Sequence, residues 1–234
     1  MRSGINSKSK WVIAATMAVA MVAGGLAIGS NMGFKFNAQI VSGAGASPKF
    51  DNWISLPDNS PYVKANNVCN SLGLTSTGAN STRGVVSRLI ASTGGLANYT
   101  CGAATVGAFT LVKGEAIKLR NNVTINSIVV GADDPSNTIP IQAGVGASPK
   151  FDNWVSVPYH TTAVKANDLC TDMGLTATGA NSTRGVVSRL IASTGGLANY
   201  TCGAATVGAF AITVGEGIKV RNPSGSKSWL ASHF

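Results

Sequence analysis

The chain has 234 residues, of which 44% are apolar and 12% charged, with 28 glycines and a formal net charge of +9. That apolar share and sparse charge exclude a disordered chain, and the length accommodates one sizeable core or two small ones. The lysines and arginines stand singly rather than in clusters with aromatics, which argues against a nucleic-acid surface and reads as the wet faces of a secreted, β-rich protein.

The chain opens on Arg2, Lys8 and Lys10, and residues 11–28 then carry no charge. A basic stretch, an apolar stretch and the small residues Ala27 and Gly29 make residues 1–29 a predicted secretory signal with cleavage before Ser30, or a retained N-terminal anchor. Cleavage leaves 15 Lys and Arg against nine Asp and Glu. Nothing after Gly29 is long and apolar enough for a membrane helix, so membrane contact is expected only through the leader. In residues 30–44, Met32, Phe34, Phe36, Ala38 and Ile40 alternate with Gly33, Lys35, Asn37 and Gln39, the period-2 pattern of a strand.

Residues 73–109 recur at 174–210, at an offset of 101, with one difference: Ser76 in the first copy, Ala177 in the second. A period near a hundred is too long for a solenoid repeat and suits a small domain written twice. The predicted layout is module 1 over residues 45–131, a linker over 132–145, module 2 over 146–222 and a tail over 223–234. Each module starts with an apolar strand closed by Pro57 or Pro158. A short helix is expected next, with Ser60 as N-cap and Pro61 in its first turn. Its stripe is Ala65, Val68, Cys69 and Leu72, repeated as Ala166, Leu169, Cys170 and Met173.

Residues 84–91 and 96–101 read as a hairpin around Ser92-Thr93-Gly94-Gly95. Residues 109–112 and 116–120 read as a second hairpin around Lys113-Gly114-Glu115. Residues 123–130 add a trailing strand, Asp133 to Asn137 form a turn-rich linker, and residues 139–141 lead into module 2. The fold class that follows is mainly β: two tandem, disulfide-stapled β-sandwich or barrel modules, each with one short helix.

Cys69 and Cys101 recur as Cys170 and Cys202, one pair per module, which predicts two intramodule disulfides in an exported protein. Each is expected to stabilise its module by about 3–4 kcal/mol. A metal site is not expected, because no Cys-x-x-Cys spacing occurs and neither His160 nor His233 recurs. The repeated acids, Asp51 with Asp152 and Glu115 with Glu216, sit at strand and turn positions without a recurring histidine. No catalytic residue or cofactor site is therefore expected. Five Asn-x-Ser/Thr sequons occur, at Asn80, Asn98, Asn122, Asn181 and Asn199. The repeated rings Tyr99 and Tyr200, Trp53 and Trp154 are either core or sugar-stacking platforms, with core the commoner role.

Trp53-Ile54-Ser55-Leu56-Pro57, Ala91-Ser92-Thr93-Gly94 with Tyr99, and Gly114-Glu115-Ala116-Ile117 make the module similar to a loosely defined class of secreted bacterial and archaeal repeats. These open on W-[IL]-S-[LV]-P, carry an A-S-T-G-like turn before an aromatic strand, and close on G-[EK]-[GA]-[YI]. The resemblance covers both bodies and implies a surface location without catalytic activity. Ile117 departs from it, since an aromatic usually follows the Gly-Glu pair.

Only the first module shows a trailing strand, so either the second keeps an open edge, with the strand from Met32 to Ile40 as its donor in a neighbouring molecule, or Phe34 to Ile40 packs on its own first module and Trp229, Leu230 and Phe234 cap the second. On the first reading the protein is a secreted structural subunit of an extracellular filament or surface layer, partnered head-to-tail by itself. The alternative is an adhesive or carbohydrate-binding surface protein that recognises a cell surface or glycan through duplicated modules.

Overall fold

In the computed structural model, residues 33–42, 51–144 and 152–232 are described; the expected leader and Met32 lie outside them. The architecture is mainly β, and the two halves of the chain repeat it. In module 1, β2 (Asn52–Ser55), β3 (Val85–Ile90), β4 (Gly95–Thr100) and β5 (Ala116–Arg120) form an antiparallel sheet in the order β2-β5-β3-β4. In module 2, β8 (Asp152–Ser156), β9 (Val186–Ile191), β10 (Gly196–Thr201) and β11 (Gly217–Arg221) take the equivalent order.

Two smaller sheets complete the set. β1 (Phe34–Ile40) pairs with β6 (Ile125–Gly131), and β7 (Thr138–Ile141) pairs with β12 (Lys227–Leu230). The expected asymmetry between the modules is thereby corrected, because each has a leading and a trailing strand. The trailing strand of module 2 lies in the tail. Its register sets Trp229 opposite Ile139, and the Trp229 side chain is fully buried. Its indole Nε1 donates to Asp172 Oδ2 at 2.8 Å, while in module 1 Ser127 Oγ donates to the Leu72 carbonyl at 2.5 Å. One large residue with a polar tip thus does in β12 what a small hydroxyl does in β6.

The leading strands are held at their ends by a repeated asparagine. Val41 N–H donates to Asn52 Oδ1 at 3.0 Å, and Asn52 Nδ2 returns a bond to the Val41 carbonyl at 3.1 Å. Asn153 makes the same pair with Gln142, at 2.9 and 3.1 Å. A side-chain amide imitates a strand neighbour here and satisfies the N–H and carbonyl of Val41 and of Gln142, just past the ends of β1 and β7.

α1 (Ala65–Leu72) and α2 (Ala166–Asp172) bury the expected stripe. Their start differs from the expected one. Ser60 accepts from Tyr62 N–H at 3.4 Å in a turn, and the chain stays extended through Val63, whose carbonyl accepts from Leu111 N–H at 2.9 Å. The helix begins only at Ala65, where Asn67 Oδ1 accepts from Lys64 N–H at 2.9 Å. In α2, Asp168 does this for both Val164 and Lys165, at 3.1 and 2.9 Å, with a carboxylate at the positive helix end. Gly73, at φ 69°, closes α1 in the left-handed region.

The second expected hairpin is not formed. Both neighbours of β5 are taken, by β2 and β3, so the segment at Phe109–Leu111 crosses instead to residues 63–65. There Ala65 N–H donates to the Phe109 carbonyl at 3.0 Å, and Phe109 and Leu111 pack partly buried on the core.

Both disulfides are present, Cys69–Cys101 and Cys170–Cys202, each with Cα atoms 5.6 Å apart. Each ties the buried face of a helix to the residue just after β4 or β10. No cysteine is free, which fits an oxidising compartment. Among the described residues no helix is long and apolar enough to cross a membrane.

Candidate functional site

The two modules meet along a seam built from the repeated strand motif. Ser55 N–H donates to the Gly215 carbonyl and Ser156 N–H to the Gly114 carbonyl, both at 2.9 Å. The hydroxyls repeat the exchange. Ser55 Oγ donates to the Glu216 carbonyl at 2.6 Å and accepts from Val157 N–H at 2.9 Å; Ser156 Oγ donates to the Glu115 carbonyl at 2.9 Å and accepts from Leu56 N–H at 3.0 Å. When residue i of one half meets residue j of the other and j in turn meets i, the halves are related by a two-fold. The seam is an isologous dimer interface inside one chain.

Trp53 and Trp154 face each other across the seam, ring centroids 5.2 Å apart and planes 41° inclined. Gly217 allows the close approach, since a Cβ there would sit 2.8 Å from Ala116 Cβ. One contact breaks the symmetry. Tyr159 donates its hydroxyl to the Ser55 carbonyl at 3.0 Å and packs on Phe36 at 4.9 Å, whereas the matching position in module 1 is Asp58. Burial and the nearby Asp133 carboxylate hold the Tyr159 phenol far above its ordinary range.

Asp133 also accepts from Tyr159 N–H at 2.9 Å, and Asn137 Nδ2 donates to Asp58 Oδ1 at 2.8 Å. The expected linker is therefore bonded to both modules.

Two features flank this seam. The first is a pair of clefts. One, of about 280 Å³, lies between Arg88, Lys113 and Glu115 of module 1 and Gln142, Asn153 and Trp154 of module 2. Its counterpart, of about 270 Å³, lies between Arg189 and Glu216 of module 2 and Asn37, Gln39 and Trp53 of module 1. Arg88 Nε stands 3.1 Å from Glu115 Oε1, and Arg189 Nε 3.8 Å from Glu216 Oε1. Burial raises the Glu115 carboxyl to about 7 even with Arg88 beside it, and burial likewise raises Glu216.

The second feature is the outer edge of each large sheet. β4 and β10 each have one partner, β3 and β9, and among the described strands none covers their other side. Leu96 and Leu197 are exposed on them, beside exposed Ile90 and Ile191. The loops that follow present Val106 and Val207 at 95% and 96% exposure. Residues 91–112 and 192–215 contain no charged side chain.

No protein-family model, curated protein or solved structure matches this chain. Its function has to be argued from these features.

The residues singled out from sequence fall into distinct places. Cys69, Cys101, Cys170 and Cys202 are paired as expected. Of the expected donor strand, Met32 is outside the described residues, Phe36 packs on Tyr159, and Ala38 and Ile40 are buried in the core of their own module. Phe34 begins β1, which runs beside β6 of the same chain. In this chain the strand therefore takes the cis arrangement, with β6 as its hydrogen-bonding partner.

Tyr99 and Tyr200 are buried and donate to the Ala103 and Ala204 carbonyls at 2.7 and 2.8 Å, so they are core and not platforms. Asp51 is buried between Lys118 and Arg120 at 3.0 and 2.9 Å, and Asp152 between Lys219 and Arg221 at 3.2 and 2.9 Å. These acids are structural. Ser55, Ser156 and the partnership of Arg88 with Glu115 escaped the sequence reading. The clue was a polar serine inside the repeated apolar run Trp-Ile/Val-Ser-Leu/Val-Pro.

Proposed function

We propose that this protein is an extracellular structural subunit that assembles with copies of itself through the outer strands β4 and β10. The observation that carries this reading is that both large sheets end in the same uncharged strand, Gly-Leu-Ala-Asn-Tyr-Thr, with one side unpaired among the described residues. Edge strands are ordinarily blunted by charge, proline or cover, and a bare apolar edge is a template for another chain.

A register that sets Ala97 opposite Ala198 of the next subunit keeps Tyr99 and Tyr200 on the inner face and leaves Asn98 and Asn199 outside. Because β4 of one subunit meets β10 of the next, the contact is heterologous, and a subunit bound at one edge still offers the other. Growth then continues into an open array rather than stopping at a dimer. The paired cysteines support a location in an oxidising, extracellular compartment.

The test is the double variant Leu96→Lys with Leu197→Lys. Both positions are exposed, so the fold and melting temperature should stay within the range of surface changes. The wild type is expected to sediment as polymers and to show filaments or sheets in electron micrographs, and the variant to remain monomeric. A wild type that is monomeric at high concentration, or a variant that assembles equally well, overturns the reading.

A further inference from the structure

The paired clefts beside the seam take no part in edge assembly, and their chemistry points elsewhere. In the first cleft, neither carboxylate oxygen of Glu115 nor Nε of Arg88 makes a well-directed hydrogen bond, although all three atoms are buried. Buried polar atoms are nearly always satisfied, so a carboxylate whose contacts are a poorly aligned Arg88 Nε at 3.1 Å and the Val112 backbone has capacity left for a further donor. Arg88 is already fixed from behind. Its Nη1 donates to the Thr110 carbonyl at 2.9 Å, and its guanidinium lies 5.9 Å from the Phe109 ring centre. The same pair lines the same cleft with the half-buried indole of Trp154.

A fixed guanidinium and a carboxylate side by side suit a group that donates and accepts at once. A hydroxyl does both, and the indole offers a face for the C–H surface of a ring. The cleft volume fits a single ring rather than a drug-sized ligand. We infer that the two clefts are sugar-binding subsites, each seating one neutral pyranose unit of a polysaccharide between the Arg–Glu pair of one module and the tryptophan of the other.

The two subsites are not equal. Arg88 Nε stands 3.1 Å from Glu115 Oε1, whereas Arg189 Nε stands 3.8 Å from Glu216 Oε1, so the polar pair is closer in the first cleft. Where the first cleft has Lys113, the second has Val214. The first therefore binds more tightly. Two subsites on one body give a polysaccharide an effective-concentration gain over a single sugar.

The experiment titrates the intact disulfide-bonded protein with cellotetraose, chitotetraose and maltotetraose, read by tryptophan fluorescence and by calorimetry. At least one of the three is expected to perturb the indoles and to bind at two sites per chain. Glu115→Gln, which keeps the side-chain volume, should weaken the tighter site at least tenfold and leave the other unchanged. Lys113→Val should bring the two affinities together. The Leu96→Lys, Leu197→Lys variant should bind as the wild type does, so failure of assembly and failure of sugar binding read out separately. Absence of binding by all three sugars, or unchanged affinity in a Glu115→Gln, Glu216→Gln double variant, overturns the inference.

Discussion

The outward stretch and the closing strands of the two modules have diverged to opposite extents. Residues 73–109 and 174–210, which carry β3 and β4 and their counterparts β9 and β10, differ at one position in 37. The closing strands β6 and β12 share almost nothing, although Ser127 and Trp229 occupy equivalent inner positions. Residues 58–64 and 159–165 agree only in their final Val-Lys. The copies have thus had room to drift. Packing accounts for buried members of this stretch such as Val86, Tyr99 and Cys101, but not for Val106 and Val207, which are almost fully exposed. A core position accepts any residue that fills its volume and pairs its polar atoms. Identity at an outward position is what the proposed repeated assembly edge would require.

The closing strands are where the comparison breaks most sharply. Trp229→Ala should destabilise module 2 by about 3–5 kcal/mol, the usual cost of emptying a buried aromatic site. It also leaves the Asp172 carboxylate short of a donor. Ser127→Ala, its counterpart, loses one hydrogen bond to the Leu72 carbonyl and should cost about 1 kcal/mol. Urea unfolding of both variants checks this. Equal costs would mean that β12 does not close module 2 as β6 closes module 1.

The disulfides should show the opposite, equality between the halves. Each closes the same separation of 32 residues, so Cys69→Ser with Cys101→Ser and Cys170→Ser with Cys202→Ser should each cost about 3–4 kcal/mol. A gap of more than about 1 kcal/mol between them, beyond the usual scatter of additive effects, would show that the modules resist unfolding differently despite matching loops.

The same contrast governs how much could be read from sequence. The disulfides, the helix stripe and the β3–β4 hairpin were legible because each is local: a repeated spacing, a 3.6-residue period, a double-glycine turn. The trailing strand of module 2 was hidden. Lys227 to Leu230 offers one buried residue, Trp229, where β6 offers Ser127 and Val129 in a longer apolar run. The crossing of Phe109–Leu111 to residue 63 was also hidden, because sequence gives alternation but not which strand already fills the slot beside β5. The seam was least legible. Ser55 and Ser156 look like turn or surface residues until another copy of the same motif faces them.

The last expected effect concerns pH, and it sharpens the difference between the clefts. Glu115 is held at about 7 by burial, against an ordinary 4.5, and the facing charge is Arg88. Below about pH 4.5 the carboxyl is protonated in both the folded and unfolded chains. Between 4.5 and 7 the unfolded chain releases this proton while the folded protein retains it, so rising pH favours unfolding. The stabilisation present in acid is therefore lost as pH climbs through 7, by at most about 3.4 kcal/mol at 1.36 kcal/mol per unit. Glu115→Gln stays neutral at every pH and should flatten the melting temperature across this window. Glu216 is raised in the same direction by burial, though less strongly, so Glu216→Gln should flatten the profile less. Melting curves from pH 4.5 to 8 decide it. If the two variants flatten the curve equally, the clefts are equivalent, and the stronger effect of burial assigned to Glu115 is wrong.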